Sequence, residues 1–232
     1  MPTEDLRGYL ATGKSALKAV QLAQVAAGIP GFDSILDMAC GHGRVLRWLQ
    51  AAYPEARLTA CDLLRDGVDF CATTFDAEPV YSIATPTAGM FHDLYDLIWV
   101  GSLLTHLDTD QWVNFIQLWH GVLMPGGLLV VTTHGELVAE RMRDGHFYGY
   151  PAPSITRMLR SFDRSGFAFL EASTDESDYG ITISKPEWVI KRLLTHSDFR
   201  LVLVTEALWA NHQDVVAVVK RTLDSRVAER PD

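Results

Sequence analysis

Two aspartates flank a glycine loop in a pattern that suits a nucleoside-bearing ligand. Residues 35–46 read Ile-Leu-Asp-Met-Ala-Cys-Gly-His-Gly-Arg-Val-Leu: an apolar strand ends in Asp37, a small-residue loop carries Gly41 and Gly43, and a helix follows. Glycine lets the main chain approach a ligand where a side chain would collide, and a helix start offers unpaired N–H groups to the ligand's polar end. Asp62 closes a second apolar run, where a carboxylate can accept hydrogen bonds from both ribose hydroxyls. A different kind of chemistry is open to His106, His134 and His212, since imidazole titrates near neutrality and can take a proton from a reacting group. Helix capping and packing are the competing roles for each, and His106 is favoured as base because it follows the fourth strand.

Alternating strands and helices must position these residues, and such alternation signals a parallel sheet covered on both faces. Residues 3–28 read as helical, with a break expected near Gly13, and this segment should lie over the ligand cleft or the sheet edge. Strands are expected at 34–38, 57–61, 80–83, 95–100 and 128–133, with helices at 43–53, 66–75 and 109–123. Residues 134–185 interrupt the alternation with His-Phe-Tyr-Gly-Tyr at 146–150, a helical piece at 155–162 and a strand-like run at 167–171, and read as an inserted cap. Ser184 and Glu187 have capping-box spacing before a helix at 186–195. Strands at 199–205 and 215–220 then form a hairpin with a long tip, and a charged tail starts at Arg221. The whole reads as one domain: a helical segment (1–32), a cofactor core (33–133), a substrate cap (134–185), a closing helix and hairpin (186–220), and the tail.

The run from Asp37 to Gly43, the strand segment Tyr-Asp-Leu-Ile-Trp-Val-Gly-Ser at 95–102 and Leu-Met-Pro-Gly-Gly-Leu-Leu-Val at 123–130 resemble, in order and spacing, the motifs of the class I S-adenosylmethionine-dependent methyltransferases. The resemblance covers residues 33–133, and the closing helix and hairpin extend it to 220. It implies a Rossmann-like, doubly wound, seven-stranded and mainly parallel sheet with the last strand antiparallel, helices on both faces and the cap after strand five. It also implies S-adenosylmethionine as cofactor and S-adenosylhomocysteine as product. Carried over by position, Ala39, Cys40, Gly41 and Gly43 would hold the methionine part, Asp37 would orient the loop and the ammonium, and Asp62 would hold the ribose. Leu63, Ile83 and Ala84 would flank adenine, and Gly101 and Ser102 would close the site at strand four. Two departures stand out: Ala39 replaces a usual glycine, and no acidic residue follows the third strand.

The acceptor side draws on His146, Tyr148, Tyr150, Tyr179, Trp209 and Gln213, whose rings and amide suit sugar faces or flat ring systems. Segments 178–189 and 209–216 resemble bacterial methyltransferases associated with cell-surface glycans. The implied reaction is in-line methyl transfer to a small-molecule or glycan acceptor, at an oxygen of a sugar or hydroxylated metabolite. A cofactor-binding regulatory protein with weak turnover and a nicotinamide-dependent oxidoreductase are the alternatives; Leu46 stands where the latter's third glycine would fall.

Bulk properties narrow the field. A net charge of −9 over 232 residues argues against nucleic acid as partner. No basic-apolar leader or membrane-length run is present, so a cytoplasmic protein without membrane insertion is expected. A homodimer is left open. Cys40, Cys61 and Cys71 lack disulfide or zinc spacing, and no metal is assigned. Gly-Tyr-Leu-Ala-Thr-Gly-Lys-Ser at 8–15 matches the phosphate-loop pattern, but no buried strand can precede Gly8, so the match reads as accidental.

Overall fold

The computed structural model describes residues 3–172 and 180–222. Its centre is a seven-stranded sheet of β1 (Ser34–Met38), β2 (Arg57–Asp62), β3 (Glu78–Tyr81), β4 (Tyr95–Val100), β5 (Leu123–Thr133), β8 (Phe199–Trp209) and β9 (Gln213–Lys220), in the spatial order β3-β2-β1-β4-β5-β9-β8. β1 to β5 pair in parallel, and β9 runs antiparallel to both β5 and β8. The expected doubly wound architecture is therefore present, last strand included.

Alternation along the strands divides the core into two layers. Leu36, Ile98, Leu129, Val131, Val216 and Val218 face a layer completed by Trp112, Phe115, Ile116 and Trp119 of α4 (Thr109–Val122) and by Val189 and Leu193 of α7 (Pro186–Leu193). Ile35, Leu97, Trp99, Leu128, Val130 and Ala217 face the other layer, against α1 (Thr3–Ala27), α2 (Leu46–Ala52) and α3 (Arg65–Phe75). Strands buried on both faces read as continuous apolar runs, which is why β1, β4 and β5 were legible. On α4 the buried residues follow the helical period, and Asp108 caps the helix by accepting from the N–H groups of Asp110 and Gln111 while Gln111 reaches back to the Asp108 N–H.

Several boundaries differ from expectation for local reasons. α1 is unbroken through Gly13, where an added Cβ would meet the Arg44 carbonyl and the Trp48 ring; the glycine lets α1 press onto α2. Residues 8–15 thus lie inside a helix, not on a phosphate loop. α2 starts only at Leu46, because residues 41–45 form turns. β5 begins at Leu123, and the pairing jumps from Tyr95–Leu123 to Leu97–Leu128, so residues 124–127 bulge from the ladder. β8 continues to Trp209, leaving a tight turn at 210–212 in place of a long tip, with Ala210 and Asn211 both at positive φ.

The insertion folds as α5 (Glu136–Arg143), α6 (Ala152–Ser165) and the antiparallel pair β6 (Phe167–Leu170) and β7 (Ile181–Ser184). It has its own apolar centre of Val138, Met142, Ile155, Met158, Phe162 and Ile183. β7, which sequence reading did not separate from its surroundings, is wholly buried. No described helix is long and apolar enough to cross a membrane.

The start of β1 is pinned to β4 by one side chain. Asp96 accepts from the Asp33 N–H at 2.9 Å, the Ser34 N–H at 2.8 Å and the Ser34 hydroxyl at 3.1 Å. Asp96→Ala is expected to cost about 2–3 kcal/mol, given that bonds to charged groups contribute about 1.5–3 kcal/mol each and this site is partly solvated. Urea unfolding should show a lower midpoint with an unchanged slope.

Candidate functional site

Ligands of open α/β sheets bind beyond the carboxyl ends of the strands. At that end a cavity of about 290 Å³ is lined by Asp37, Ala39, Cys40, Gly41, Trp99, Gly101 and Trp209, with Tyr9 of α1 at its side. A larger cavity, about 370 Å³, opens at the opposite end around Arg57, Thr59, Glu78 and Tyr95. It lacks the glycine loop, so the smaller cavity is the functional candidate.

The loop after β1 is shaped by backbone geometry. Ala39, Gly41 and Gly43 all take positive φ, at 63°, 50° and 67°. The N–H groups of Ala39 and Cys40 both donate to the Cys61 carbonyl, and Asp62 Oδ2 accepts from the Gly41 N–H at 2.7 Å while Oδ1 accepts from the Leu64 N–H at 2.9 Å. A Cβ on Gly41 would meet nothing within 4 Å, so that glycine faces open space. Gly43 is different: its added Cβ would strike Phe75, and it serves packing against α3, not the cavity. Gly67, which drew no attention in the sequence, performs the reciprocal task, since a Cβ there would lie 2.5 Å from the Gly41 carbonyl oxygen.

Asp37 is 2% exposed, and its Oδ2 has no hydrogen-bond partner among the described residues. Burial, and then the neighbouring Asp62 charge, push its pKa up to about 8. A buried carboxyl with one unused oxygen beside open space is suited to a cationic group. Cys40 is buried, and its thiol and that of Cys71 both donate to the Gly41 carbonyl at 3.5 Å. The neighbouring Cys71 thiol, and then burial, raise the Cys40 pKa, so it is no nucleophile.

α1 covers the cleft, as expected of this segment. The Tyr9 hydroxyl donates to the His42 carbonyl, and Trp209 Nε1 donates to the Thr12 carbonyl at 3.0 Å. Trp209 is 4% exposed, meets Trp99 edge-on at 5.5 Å and lines the same cavity as the glycine loop. Gln213 is buried. Its Oε1 accepts from Thr132 and its Nε2 donates to Ser102, while the Ser102 N–H donates to Thr132, so the amide is consumed in holding the ends of β4, β5 and β9 together. Gly101 sits tightly between Trp99 and Trp209. Leu63, Ile83 and Ala84 are exposed and lie outside the cavity's lining.

The three candidate bases converge with parts of the cap. His134 and His212 stand 5.1 Å apart between ring centroids; Tyr148 lies 6.2 Å from His134, 5.9 Å from His212 and 5.0 Å from His146. Tyr150 packs on the cap core, and Tyr179 lies outside the described residues. Hydrogen bonds assign the tautomers. A carbonyl only accepts, so His106 Nδ1 donates to Gly180 at 2.9 Å and His134 Nδ1 donates to Thr182 at 3.2 Å, leaving Nε2 as the basic nitrogen of each neutral ring. His212 is reversed: its Nδ1 accepts from Arg141 at 2.6 Å, and Nε2 carries the proton. Burial, then His212 and His106, push the His134 pKa down to about 3, too low for an effective base near neutrality. Burial and Arg141 also lower that of His212. Arg141, Tyr9 and Trp99 were not singled out from sequence; only the fold brings them to the site.

Known proteins agree with this layout. Residues 35–127 match the family model described as a methyltransferase domain. A ubiquinone/menaquinone biosynthesis C-methyltransferase of Desulfotalea psychrophila is 27% identical over 154 residues, covering 65% of this chain and 61% of that protein, so the match spans less than two thirds of the curated relative. An S-adenosylmethionine-dependent methyltransferase from Clostridium acetobutylicum superposes with a TM-score of 0.63 at 14% identity, over 90% of this chain and 92% of that one. The 1,6-didemethyltoxoflavin-N1-methyltransferase of Burkholderia thailandensis gives 0.59 at 15% identity, over 90% and 79%. At these identities the structural likeness establishes the fold.

The raised Asp37 pKa has a sign that can be measured. The native carboxyl holds its proton up to about pH 8, whereas the unfolded one loses it near 3.8, so this group destabilises the free protein progressively as pH rises through that window. Asp37→Asn should therefore raise the melting temperature of the ligand-free protein, and by more at pH 8.5 than at pH 5. Thermal scans at both values provide the comparison.

Proposed function

We propose that this chain, a class I S-adenosylmethionine-dependent methyltransferase by its fold and by its family match over residues 35–127, moves a methyl group from S-adenosylmethionine to a hydroxyl oxygen of a small-molecule or glycan acceptor. One observation carries the cofactor half: the unpartnered, buried Asp37 oxygen beside a glycine whose Cβ position is open. These features fit a ligand with an ammonium group next to a thioether or sulfonium. Asp37 would face the ammonium, the main chain of residues 39–41 would run along the methionine part, Asp62 would meet the ribose, and Leu63, Ile83 and Ala84 would border adenine. The bound cofactor supplies an electrophilic methyl on sulfur.

The chain's own residues align, exclude water and move a proton. Orientation of two reactants contributes roughly 7–11 kcal/mol in favourable cases, and α1 and the cap, closing over the strand ends, are the parts placed to provide it. His106 is the favoured base among the three histidines. Its Nε2 would take the proton of the acceptor hydroxyl, while the Gly180 carbonyl keeps the other ring nitrogen protonated. His134 instead supports the ring cluster as a neutral group, and His212 presents an N–H held by Arg141. His146, Tyr148 and Tyr150 form the acceptor wall in this reading. The similarity to a C-methyltransferase supports a second reading, an acidic carbon as acceptor, which needs a base for the same reason. Product analysis by carbon-13 NMR separates the two, and a methyl on oxygen is the expected outcome.

His106→Ala is expected to bind S-adenosylhomocysteine with unchanged affinity while turnover of a screened acceptor falls by about 10²–10⁴-fold, the range a positioned base contributes. Unchanged turnover would move the base elsewhere. Cofactor binding should also release a proton near pH 7, because a cation beside Asp37 lowers a pKa that starts at about 8. Calorimetric titration in two buffers of different ionisation enthalpy would reveal the release, and Asp37→Asn should abolish it.

A further inference from the structure

The opposite end of the sheet carries a side-chain cluster that the transferase reading does not use. His120 ends α4, His196 and Asp198 lie on the turn before β8, and one ligand atom from each falls within 4.8 Å of the other two. His120 Nε2 is 2.8 Å from Asp198 Oδ2 and 3.0 Å from Oδ1. The His120 and His196 rings stack at 4.1 Å with planes 12° apart, and Phe199 meets both rings edge-on. A simple His120–Asp198 ion pair explains two of the three residues. His196 is left over: no hydrogen bond to its ring is found among the described residues, yet its ring stacks on His120 with a nitrogen inside the cluster.

From this convergence we infer a binding site for a zinc-like divalent cation, held by His120, His196 and Asp198. Two nitrogens and a carboxylate oxygen are a donor set that zinc accepts, and three protein ligands leave a fourth position for water. Ligand atoms around a tetrahedral ion lie about 3.3–3.5 Å apart, so a small rotation of the His196 ring completes the site. The turn is already placed for it, since the Phe199 N–H donates to the His196 carbonyl and the Arg221 N–H to that of Asp198. Lys220 Nζ is the opposing charge nearby, but it is spent on the carbonyls of His120 and Leu123 at the carboxyl end of α4. The ion would fasten α4 to the β8–β9 edge. It stands apart from the cofactor cleft, so this proposal is independent of the acceptor assignment.

The test uses the full chain without an affinity tag, stripped with chelator and titrated with zinc chloride by calorimetry and thermal melting. One saturable equivalent at this site and a raised melting temperature are expected in the wild type. His196→Ala and Asp198→Asn, checked for folding by circular dichroism, should each weaken that binding by at least about tenfold. Absence of saturable binding to the wild type would overturn the site, as would an unchanged isotherm in the His120→Ala/His196→Ala double variant, which would assign the zinc to other histidines.

Discussion

The hydrogen bond from the Gly41 N–H to Asp62 Oδ2 is the constraint on which the site is built. It ties the loop after β1 to the end of the neighbouring strand, and it does so through main chain in a left-handed conformation that side chains resist. Gly67 follows from it, because the loop carbonyl then occupies the space a β-carbon on α3 would need. The unused Asp37 oxygen lies beside this loop, and no hydrogen-bond partner reaches it among the described residues. An unpaired buried polar group is costly, and such cost is tolerated where a ligand offsets it.

The cap imposes a second order on the site by setting proton positions. The carbonyls of Gly180 and Thr182, at and beside β7, take the Nδ1 protons of His106 and His134, while Arg141 of α5 takes the lone pair of His212. His106 and His134 thereby share one tautomer and His212 takes the other. Burial separates them further, since the most enclosed ring is the least able to hold a charge.

Much of this was visible in the chain itself. The runs at 34–38, 95–100 and 128–133 are mostly apolar and read as interior strands, and their alternation with helical segments implied a parallel sheet. The loop with Asp37, Gly41 and Asp62 was visible because turn chemistry is local. The contacts of Trp209 and Gln213 were not legible because their partners, Thr12, Thr132 and Ser102, are remote in sequence. Alanine 39 also illustrates the limit: composition marks a departure from glycine, and only the backbone shows that the residue still adopts positive φ.

Sequence alone determined the strands, the glycine loop and the aspartates at the ends of β1 and β2, since each is marked by the residues immediately around it. Tertiary structure alone decided which ring nitrogen of each histidine carries the proton, which aromatic rings line the cavity beside the glycine loop, and that His120 meets His196 and Asp198 at the far end. The physical reason is that tautomers, desolvation and ligand clusters are properties of contacts between distant segments, and local pattern carries no record of them.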